Sequence, residues 1–409
     1  MVTKGYLKSS KREECFGCEA CVQACGQNAI SMQEDQEGFR YPLLNQKLCV
    51  QCGICYNICP STKLSQPMNT PQYICGGYSL KEDIRYASTS GGIFSEIVDV
   101  FCDQDYAIFG AEAKGLDVWH SFVTDKNEID RYRKSKYSQS KIGDSYKYAK
   151  RLLKKGMKVL FSGTPCQIAG LQNYLQGSDC KKLLTVEVVC EGVPTPLYMR
   201  KYEKSLVRKY GQEIESIDYR FTDKGSLSKG RWDFQVMRIV LKNLNKVIKL
   251  DRWFNPFWSL WIGHVMSRPS CYQCPFATEK RSADITLGDL WGVHLYCPEL
   301  YGSNQGSSLM TANSDKGEEV LLEVQKRIYG HELKLEDAIK YQGPMRKSVD
   351  AHPKRSLLMQ DLQSDMSYEE INKKWAPKIT FKLWWQKYIW GNRQKILLWK
   401  LTGGKYHIR

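Results

Sequence analysis

The N-terminal part of this 409-residue chain contains two cysteine runs with one shared spacing. The segments CFGCEACVQAC and CVQCGICYNICP both follow the pattern C-x2-C-x2-C-x3-C. Three closely spaced thiolates bind three corners of a cubic [4Fe-4S] cluster, and the fourth cysteine of each run reaches the cluster held by the other run. The predicted ligands are Cys15, Cys18, Cys21 and Cys59 for one cluster, and Cys49, Cys52, Cys55 and Cys25 for the other.

Zinc is the alternative occupant of these runs, because CxxC pairs also serve zinc sites. Zinc sites seldom use four cysteines at this spacing, let alone twice, so the repeat favours iron–sulfur clusters. One departure from the ferredoxin pattern is visible, since Gly26 follows Cys25 where Pro60 follows Cys59. This departure loosens one turn and removes no ligand.

Four later cysteines form a second candidate set. Cys166 in FSGTPCQ and Cys190 in VEVVCEGVPTP each follow an apolar strand, and Cys271 and Cys274 form a CxxC pair in RPSCYQCPF. The dipole of the helix that begins at Cys166 would help to hold this residue as a thiolate. Ligands gather at strand ends on one side of an α/β sheet, so the four could share a third cluster. Alternatively, Cys166 and Cys190 are small buried apolar residues. We expect the remaining cysteines to be structural: Cys75, Cys102, Cys180 and Cys297.

The elements that position these residues follow from the pattern of apolar residues. Short strands and a turn between the two runs predict a small ferredoxin-like domain of the bacterial two-cluster type. Strands then alternate with helices, which predicts an α/β (α+β) body with a mixed sheet, and residues 215–250 favour antiparallel strands. The predicted divisions are 1–62 for the ferredoxin domain, 63–72 for a linker, 73–165 and 166–345 for the two parts of the body, and 346–409 for a tail.

Charge is distributed unevenly along the chain. The net charge is +16, which favours an anionic partner. Residues 373–409 hold ten Lys or Arg, no Asp or Glu, and five Trp. The basic excess is therefore mostly a property of the tail, and we expect no nucleic-acid partner. Basic residues interleaved with Trp are typical of a helix on an anionic membrane surface, and equally of a segment whose Trp side chains pack on the body or on a partner.

The start of the chain, MVTKGYLKSSKREEC, lacks the apolar core of a secretory signal peptide. No run reaches the roughly 18 apolar residues that a membrane-spanning helix needs. Grouped cysteines in a reducing compartment are more often metal ligands than disulfide halves. We therefore expect a cytoplasmic protein, with contact to the inner face of the membrane through the tail as the open alternative.

Two polar loops are candidate anion sites. The sequence Ser88-Thr-Ser-Gly-Gly92 offers hydroxyls and backbone N–H groups at the start of a helix, where the dipole favours a phosphate. Alone this signal is weak, and a structural helix cap more often explains such a loop. The segment SKYSQS, which includes Lys136 and Ser140, is likewise either a solvated turn or a set of anion ligands.

Six segments resemble, in order, the signature stretches of the coenzyme F(420) hydrogenase/dehydrogenase beta-subunit family. They are YASTSGGIFSEI, SKYSQSKIG, KKGMKVLFSGTPCQIAGLQNYL, VVCEGVPTPLYMRKY, RPSCYQCPFATEKRSADITLGDLWGV and NQGSSLMTANSDKGEEVLL. The resemblance covers roughly residues 73–330, and an N-terminal ferredoxin module is a common fusion in that family.

The resemblance implies an FAD with a [4Fe-4S] cluster beside it. At matching positions, Cys166, Cys190, Cys271 and Cys274 would bind that third cluster. The implied flavin contacts are Ser88, Ser90, Gly91, Gly92, Lys136, Ser140, Thr164, Arg281, Asp284 and Asp289, with Trp291 as a further pocket residue. For Asp289 and Trp291, a buried cap and a packed aromatic are alternative roles.

The resemblance also implies an activity. The expected protein is an iron–sulfur flavoprotein oxidoreductase that passes electrons between a ferredoxin or another redox protein and a small-molecule substrate, in a setting such as polysaccharide biosynthesis. A non-catalytic electron-transfer subunit of a larger complex is the alternative. The chain has Glu191 where the family often has a histidine in a Cys-His-Gly motif, so the role of that histidine is absent or belongs to Glu191. The resemblance leaves the substrate and the use of the deazaflavin coenzyme open.

Overall fold

A computed structural model describes residues 4–221, 236–244, 246–301, 306–388, 397 and 401–402. Its helices are α1 Tyr6–Ser9, α2 Ala20–Ala24, α3 Ile54–Asn57, α4 Glu82–Ala87, α5 Ile93–Phe101, α6 Ser145–Lys154, α7 Pro165–Tyr174, α8 Leu197–Tyr210, α9 Pro256–Ile262, α10 Val293–Tyr296, α11 Asp315–Gln325, α12 Leu335–Lys340, α13 Arg355–Gln363, α14 Tyr368–Trp375 and α15 Phe381–Tyr388. Its strands are β1 Ile30–Glu34, β2 Arg40–Leu44, β3 Tyr73–Ser79, β4 Tyr106–Lys114, β5 Asp117–Val123, β6 Lys158–Gly163, β7 Leu183–Val188, β8 Ile214–Phe221, β9 Val236–Leu241, β10 Val247–Leu250, β11 Ile285–Asp289, β12 Ser308–Ala312 and β13 Ile328–Glu332.

One eight-stranded sheet organises the body, in the order β13-β3-β12-β11-β7-β6-β4-β5. The four strands β11, β7, β6 and β4 are parallel to one another. The strands on either side of these four pair antiparallel. Parallel neighbours need a crossover connection, and α6 and α7 occupy such connections. The mixed sheet predicted from the alternation of strands and helices is confirmed.

Helices cover both faces of this sheet and, with its strands, form the first apolar core, which has one layer on each face. On one face, Ile97 of α5 and Leu321 of α11 pack against the strands. On the other face, Tyr146 of α6 and Leu171 of α7 pack against Phe161 and its neighbours. Because both faces are covered, the central strands are nearly continuous apolar runs such as KVLF rather than alternating ones. This burial on two sides explains why the strands were visible in the sequence.

A smaller antiparallel sheet, β10-β9-β8, packs with α8, α9, α13 and α14 around a second core. It confirms the antiparallel strands expected between residues 215 and 250. The part of the segment RWDFQVMRIVLK before Val236 lies outside the described residues.

The N-terminal module contains the antiparallel hairpin of β1 and β2, with Ile30 opposite Leu44. The short helices α2 and α3 each lie within one cysteine run and contact each other. This pseudo-symmetric pair of helices beside a hairpin agrees with the ferredoxin-like domain predicted for this part of the chain.

The tail divides into a packed part and an exposed part. Trp375 packs against the second core, and its indole N–H donates to Asp361 at 2.6 Å. Phe381, Trp384 and Trp385 on α15 are exposed by 42% or more. Most of the segment RQKILLWKL lies outside the described residues. No described helix combines the length and the apolar character needed to cross a bilayer.

Candidate functional site

Cys166 owes its position to a strand that turns directly into a helix. β6 ends one residue before Thr164, and α7 begins at Pro165, whose fixed φ suits the first helical position. The Thr164 backbone N–H donates to the Gln167 side chain at 3.0 Å, which caps the helix. Cys166 is therefore held in the first turn of α7, and the Thr164 hydroxyl lies 3.2 Å from its sulfur.

Cys190 is brought to the CxxC pair by the backbone that follows β7. The Arg268 backbone N–H donates to the Val193 carbonyl at 2.8 Å, which joins the loop after Cys190 to the segment before Cys271. Gly192 has a φ of +106°, and a Cβ at this position would lie 3.3 Å from the Cys271 Cβ. The two backbones therefore approach closely at Gly192, where a side chain would strain the loop.

We call Cys166, Cys190, Cys271 and Cys274 the body group; all four line one cavity of about 40 Å³. Burial, together with neighbouring thiolates of the group, raises the pKa of Cys166 to about 12 and the pKa of Cys271 to about 11. Burial thus outweighs the helix dipole that was expected to keep Cys166 ionised. When these four enclosed thiols lose their protons, the resulting thiolates repel one another. All four can therefore be ionised together only beside a shared cation, as in a metal centre.

A zinc ion and an iron–sulfur cluster place different demands on the spacing of these side chains. Among the described residues, no group of three or more His, Cys, Asp or Glu side chains is placed to hold a metal ion. A zinc ion binds sulfur at about 2.3 Å, so its thiolates lie within about 4 Å of one another. Each cysteine of a cubane binds a different iron, which spreads the sulfurs farther apart.

The N-terminal cysteines form two neighbouring groups. We call them the proximal group, Cys15, Cys18, Cys21 and Cys59, and the distal group, Cys25, Cys49, Cys52 and Cys55. In the proximal group, burial raises the pKa of Cys18, Cys21 and Cys59, and repulsion from other members of the group adds to it. In the distal group, burial raises the pKa of Cys55, and its neighbours Cys49 and Cys52 add to it. The thiolate of Cys55 also raises the pKa of Cys21 and Cys59, so the proximal and distal groups lie close to each other.

The proximal group packs directly against the helix that carries Cys166. A Cβ on Gly170, one turn further along α7, would lie 3.1 Å from the sulfur of Cys18. The rings of Phe16 and Phe276 meet edge to face with their centres 5.5 Å apart, between the two cysteine groups. The proximal and body groups are thus neighbours across a tightly packed contact.

The buried guanidinium of Arg268 fixes this contact. It donates to the carbonyl oxygens of Cys15 and Arg40 and to the Gln139 side chain, each at 2.9 Å. Gln139 in turn donates to the Phe16 carbonyl at 2.7 Å. Only 1% of Arg268 is exposed. One cation therefore joins the N-terminal module, the SKYSQS segment and the segment that leads to the CxxC pair.

A second, larger cavity of about 590 Å³ adjoins the body group. This volume is within the range of about 300–1,000 Å³ that is typical of small-molecule and cofactor sites. The residues that line both this cavity and the cavity of the body group are Thr164, Cys190, Glu191, Gly192, Val193 and Pro344. A ligand in the large cavity would therefore share a wall with a group bound by the body cysteines.

The residues implied as flavin contacts fall into two classes. Those that line the large cavity are Ser88, Ser90, Gly92, Lys136, Ser140, Thr164 and Asp289, and Trp291 lies with them. Those that do not line it are Gly91, Arg281 and Asp284.

Hydroxyl groups of the Ser88–Gly92 loop already have acceptors within the protein. The Ser88 hydroxyl donates to a carbonyl of the preceding helix at 2.7 Å, and the Ser90 hydroxyl donates to the Ser307 carbonyl, just before β12, at 2.8 Å. The Gly91 N–H donates to a serine hydroxyl at 2.9 Å. The backbone N–H groups of Ile93 and Phe94 open α5 and have no acceptor within the helix, and both residues line the cavity. An anion here would be met by these N–H groups more than by hydroxyls.

Cationic side chains also line the large cavity. Lys136 donates to the carbonyl oxygens of Arg131 and Arg133 at 3.0 and 2.7 Å. Burial, with the neighbouring Lys134, lowers the pKa of Lys136 to about 7. Burial also lowers the pKa of Arg252 on the same cavity. An anionic ligand would offset the cost of holding both cations here.

Arg281 and Asp284 support the sheet instead of the large cavity. Arg281 lines the cavity of the body group and forms a fully buried ion pair with Glu187, in which neither side chain is more than 1% exposed. Asp284 accepts hydrogen bonds from the Thr185 backbone at 2.8 Å and from the Thr185 hydroxyl at 2.7 Å. Both were expected at the flavin, and the structure places both in contacts between β7 and the start of β11.

Asp289 lies at the rim of the large cavity, where it binds the guanidinium of Arg220 through two hydrogen bonds of 2.6 and 3.0 Å. Arg220 comes from the smaller sheet and is 5% exposed. Trp291 is 39% exposed at the same rim, so it is not a packed core aromatic.

Sequence reasoning did not single out His120, Arg252 or Arg268. Burial lowers the pKa of His120 to about 4, so it lines the large cavity as a neutral ring, and its Nε2 lies 2.9 Å from the Ser162 carbonyl. The three residues come from β5, from the segment before α9 and from the segment before the CxxC pair. No motif marks His120 or Arg252, and Arg268 opens the segment RPSCYQCPF, whose cysteines gave no sign of its role. Only the packing of distant segments brings the three residues to the site.

Comparison with known proteins agrees with these observations. Residues 14–63 match the 4Fe-4S dicluster domain family, and residues 156–338 match the family of the C-terminal part of the coenzyme F420 hydrogenase/dehydrogenase beta subunit. No curated protein matches the chain. A chain of the xenon-derivatized F420-reducing [NiFe] hydrogenase complex from Methanosarcina barkeri is similar in structure, with a TM-score of 0.41 and 16% identity over 76% of this chain and 94% of that chain.

The dicluster match makes the N-terminal module a domain that carries two 4Fe-4S clusters, and the chain an iron–sulfur electron-transfer protein. The second match covers the strands and helices that hold the body group and much of the large cavity. The chain therefore joins a 4Fe-4S dicluster domain to a body of which residues 156–338 match the family of the C-terminal part of the coenzyme F420 hydrogenase/dehydrogenase beta subunit.

Proposed function

We propose that this protein is an oxidoreductase that passes electrons between its 4Fe-4S clusters and a small organic substrate through FAD. The observation that carries the proposal is the wall of six residues shared by the large cavity and the cavity of the body group. The proximal group packs against the other side of the body group, through Gly170 and Phe276. Redox centres in these places would form one continuous series from the N-terminal module to the large cavity.

The residues of the large cavity fit a flavin dinucleotide. Its volume of about 590 Å³ suits a bulky ligand. The first N–H groups of α5 and the side chain of Lys136 would hold the phosphates, while Val186, Val188 and Leu287 offer an apolar wall. When bound, the flavin would supply the exchange between two-electron organic chemistry and one-electron transfer to clusters.

The protein's own side chains would bind and orient the substrate. Arg252 favours an anionic group, and the rings of Trp258, Trp261 and Trp291 would exclude water around it. A place in polysaccharide biosynthesis rests on the sequence resemblance alone. The proposal therefore names the substrate only as a small, anionic organic molecule.

We also propose the domain boundaries at residues 62, 72, 165 and 345. The two family matches end at residues 63 and 338, which supports the first and the last of these boundaries.

The test is the cofactor content of protein purified without oxygen. Three cubane clusters and one flavin predict about 12 Fe, about 12 sulfide and one FAD per chain. Iron and sulfide are measured chemically, and released flavin is measured by its fluorescence. A content of about 8 Fe without flavin would reject the proposal and favour the alternative, a non-catalytic electron-transfer subunit with the dicluster domain alone.

For the exposed part of the tail, we propose contact with an anionic membrane surface. On and beside α15, Ile379, Phe381, Trp384 and Trp385 are exposed, and residues 373–409 carry ten basic and no acidic side chains. An interfacial helix binds through exposed apolar side chains together with attraction between lysines and anionic lipids. Trp375 is excluded from this role because it packs on the body.

Replacing Trp384 and Trp385 together by serine should lower partition into vesicles of mixed neutral and anionic lipid by about tenfold, which corresponds to a loss of about 1.4 kcal/mol. The measurement is co-sedimentation of the full chain with vesicles at low salt. The matched control is Trp253→Ser, because Trp253 is 44% exposed on the body. If both variants partition like the parent protein, the tail does not bind membranes.

A further inference from the structure

The distal group lies in the most exposed part of the N-terminal module. Cys52 is exposed, whereas Cys15 and Cys18 of the proximal group are only 8% exposed. Every residue from Gln51 to Ile54 is exposed, as are Asn45 to Leu48 and Val50. The distal group is therefore open to a partner, while the proximal group faces the body.

Apolar side chains surround the distal cysteines on the surface. Leu43, Leu48, Val50 and Ile54 are exposed by 53%, 50%, 62% and 48%. Leu48 and Val50 flank Cys49 directly, and Ile54 precedes Cys55. We call residues 43–54 the distal surface. Exposed apolar residues gathered on one short segment are typical of a protein-binding site.

Apart from the cysteine ligands, the charged side chains of this region are positive. Residues 43–57 include one charged side chain, Lys47, and no Asp or Glu. A second lysine, Lys8, adjoins them, because its ammonium group lies 3.7 Å from the centre of the Tyr56 ring. An apolar patch beside two exposed lysines is complementary to a partner surface that has an apolar centre surrounded by acidic side chains.

We propose that an acidic one-electron carrier protein, with a redox centre near its surface, docks on the distal surface. In each encounter the carrier gives up one electron and is oxidised, and the distal cluster accepts that electron and is reduced; the reverse transfer uses the same contact. The electron then moves to the proximal group and on to the body group. This inference rests on the dicluster domain and deepens the proposed function by locating the partner, and it does not depend on bound flavin.

The experiment uses the full chain with its clusters and reduced plant-type [2Fe-2S] ferredoxin as the acidic carrier. The double variant Lys47→Glu/Val50→Glu reverses the charge and removes an apolar contact. It should lower the second-order rate of cluster reduction by at least about tenfold at low ionic strength, because charged surfaces steer association by about 10- to 1,000-fold. The rate is measured as bleaching of cluster absorbance in stopped flow. With the parent protein, the rate should fall as salt increases.

The matched control is Leu322→Glu/Lys334→Glu, which makes the same change of charge on the exposed far side of the body. This control should react within about twofold of the parent rate, since it lies away from the carrier. Equal rates for both double variants, or a parent rate that does not fall with salt, would overturn the proposal. Reduction by dithionite, together with iron content, checks that the variants keep their clusters.

A second variant covers the case in which a change beside Cys49 disturbs the cluster. Lys8→Gln/Lys47→Glu touches no residue adjacent to a cysteine and should also slow the reaction with ferredoxin. A parent rate in this variant would contradict the proposal. Absence of flavin from the purified protein would reject the proposed oxidoreductase and leave this rate unchanged, because the signal comes from the dicluster domain.

Discussion

Replacing Cys166 by alanine should lower the iron content from about 12 to about 8 atoms per chain, because a cubane that loses one of four cysteine ligands in an enclosed site is not retained. Cys166 lines the cavity shared with Cys190, Cys271 and Cys274 and is held in the first turn of α7. Electron transfer from reduced ferredoxin to a centre in the large cavity should fall at least about 100-fold, because the group between the two is lost. Chemical iron analysis and stopped-flow absorbance measure both effects.

The matched control is Cys180→Ala, because Cys180 is also partly buried and belongs to none of the three cysteine groups. It should keep about 12 Fe and the parent rate. If Cys166→Ala keeps all of its iron, Cys166 is a buried structural residue and the third cluster is not bound here. If both variants lose the same amount of iron, the loss reflects general instability.

Replacing Arg281 by methionine should lower the free energy of unfolding of the body by about 3–5 kcal/mol, because removing one partner leaves an unpaired buried charge. The pair of Arg281 and Glu187 is fully enclosed. The Arg281 guanidinium also donates to the carbonyls of Phe276 and Thr278 at 3.2 and 2.9 Å. Denaturant unfolding under anaerobic conditions measures the loss, with iron content followed alongside.

Two further variants test whether the loss of stability comes from the unpaired buried charge. Arg200→Met removes an exposed pair with Glu34, whose side chains are 43% and 39% exposed, and should cost only about 0–1 kcal/mol. The double variant Glu187→Leu/Arg281→Met removes both buried charges and should recover much of the stability. A single variant Arg281→Met as stable as Arg200→Met would contradict the assigned role of the buried pair.

Most of the secondary structure was predictable because it depends on local patterns. The central strands are apolar runs, since the sheet is covered on both faces, and α7 begins at Pro165, where Thr164 and Gln167 form a capping box. The dicluster domain was equally visible, because its predicted ligands lie within two short segments and the spacing of CxxCxxCxxxC belongs to one chemistry. Such features depend little on contacts between residues that are far apart in the sequence.

The candidate site was only partly predictable. The sequence placed Asp284, Arg281 and Asp289 together near the flavin, because they share one short motif. The structure directs Asp289 to the large cavity, Arg281 to the cavity of the body group, and Asp284 to Thr185. Only Asp289 lies in β11, whereas Arg281 and Asp284 belong to the segment before this strand, so the three side chains reach different surroundings.

By itself, the sequence of this protein determined its cysteine groups, the two-cluster domain, the mixed α/β body and the concentration of charge in the tail. Only the tertiary structure decided which groups adjoin. Arg268 and Gln139, 129 residues apart, fix the module to the body, and the exposed position of Cys52 opens one cluster to partners. The physical reason is that the spacing of cysteines along the chain indicates which ligands lie in the same local turn. Burial and the order of the electron carriers depend instead on contacts between segments that are far apart in the sequence.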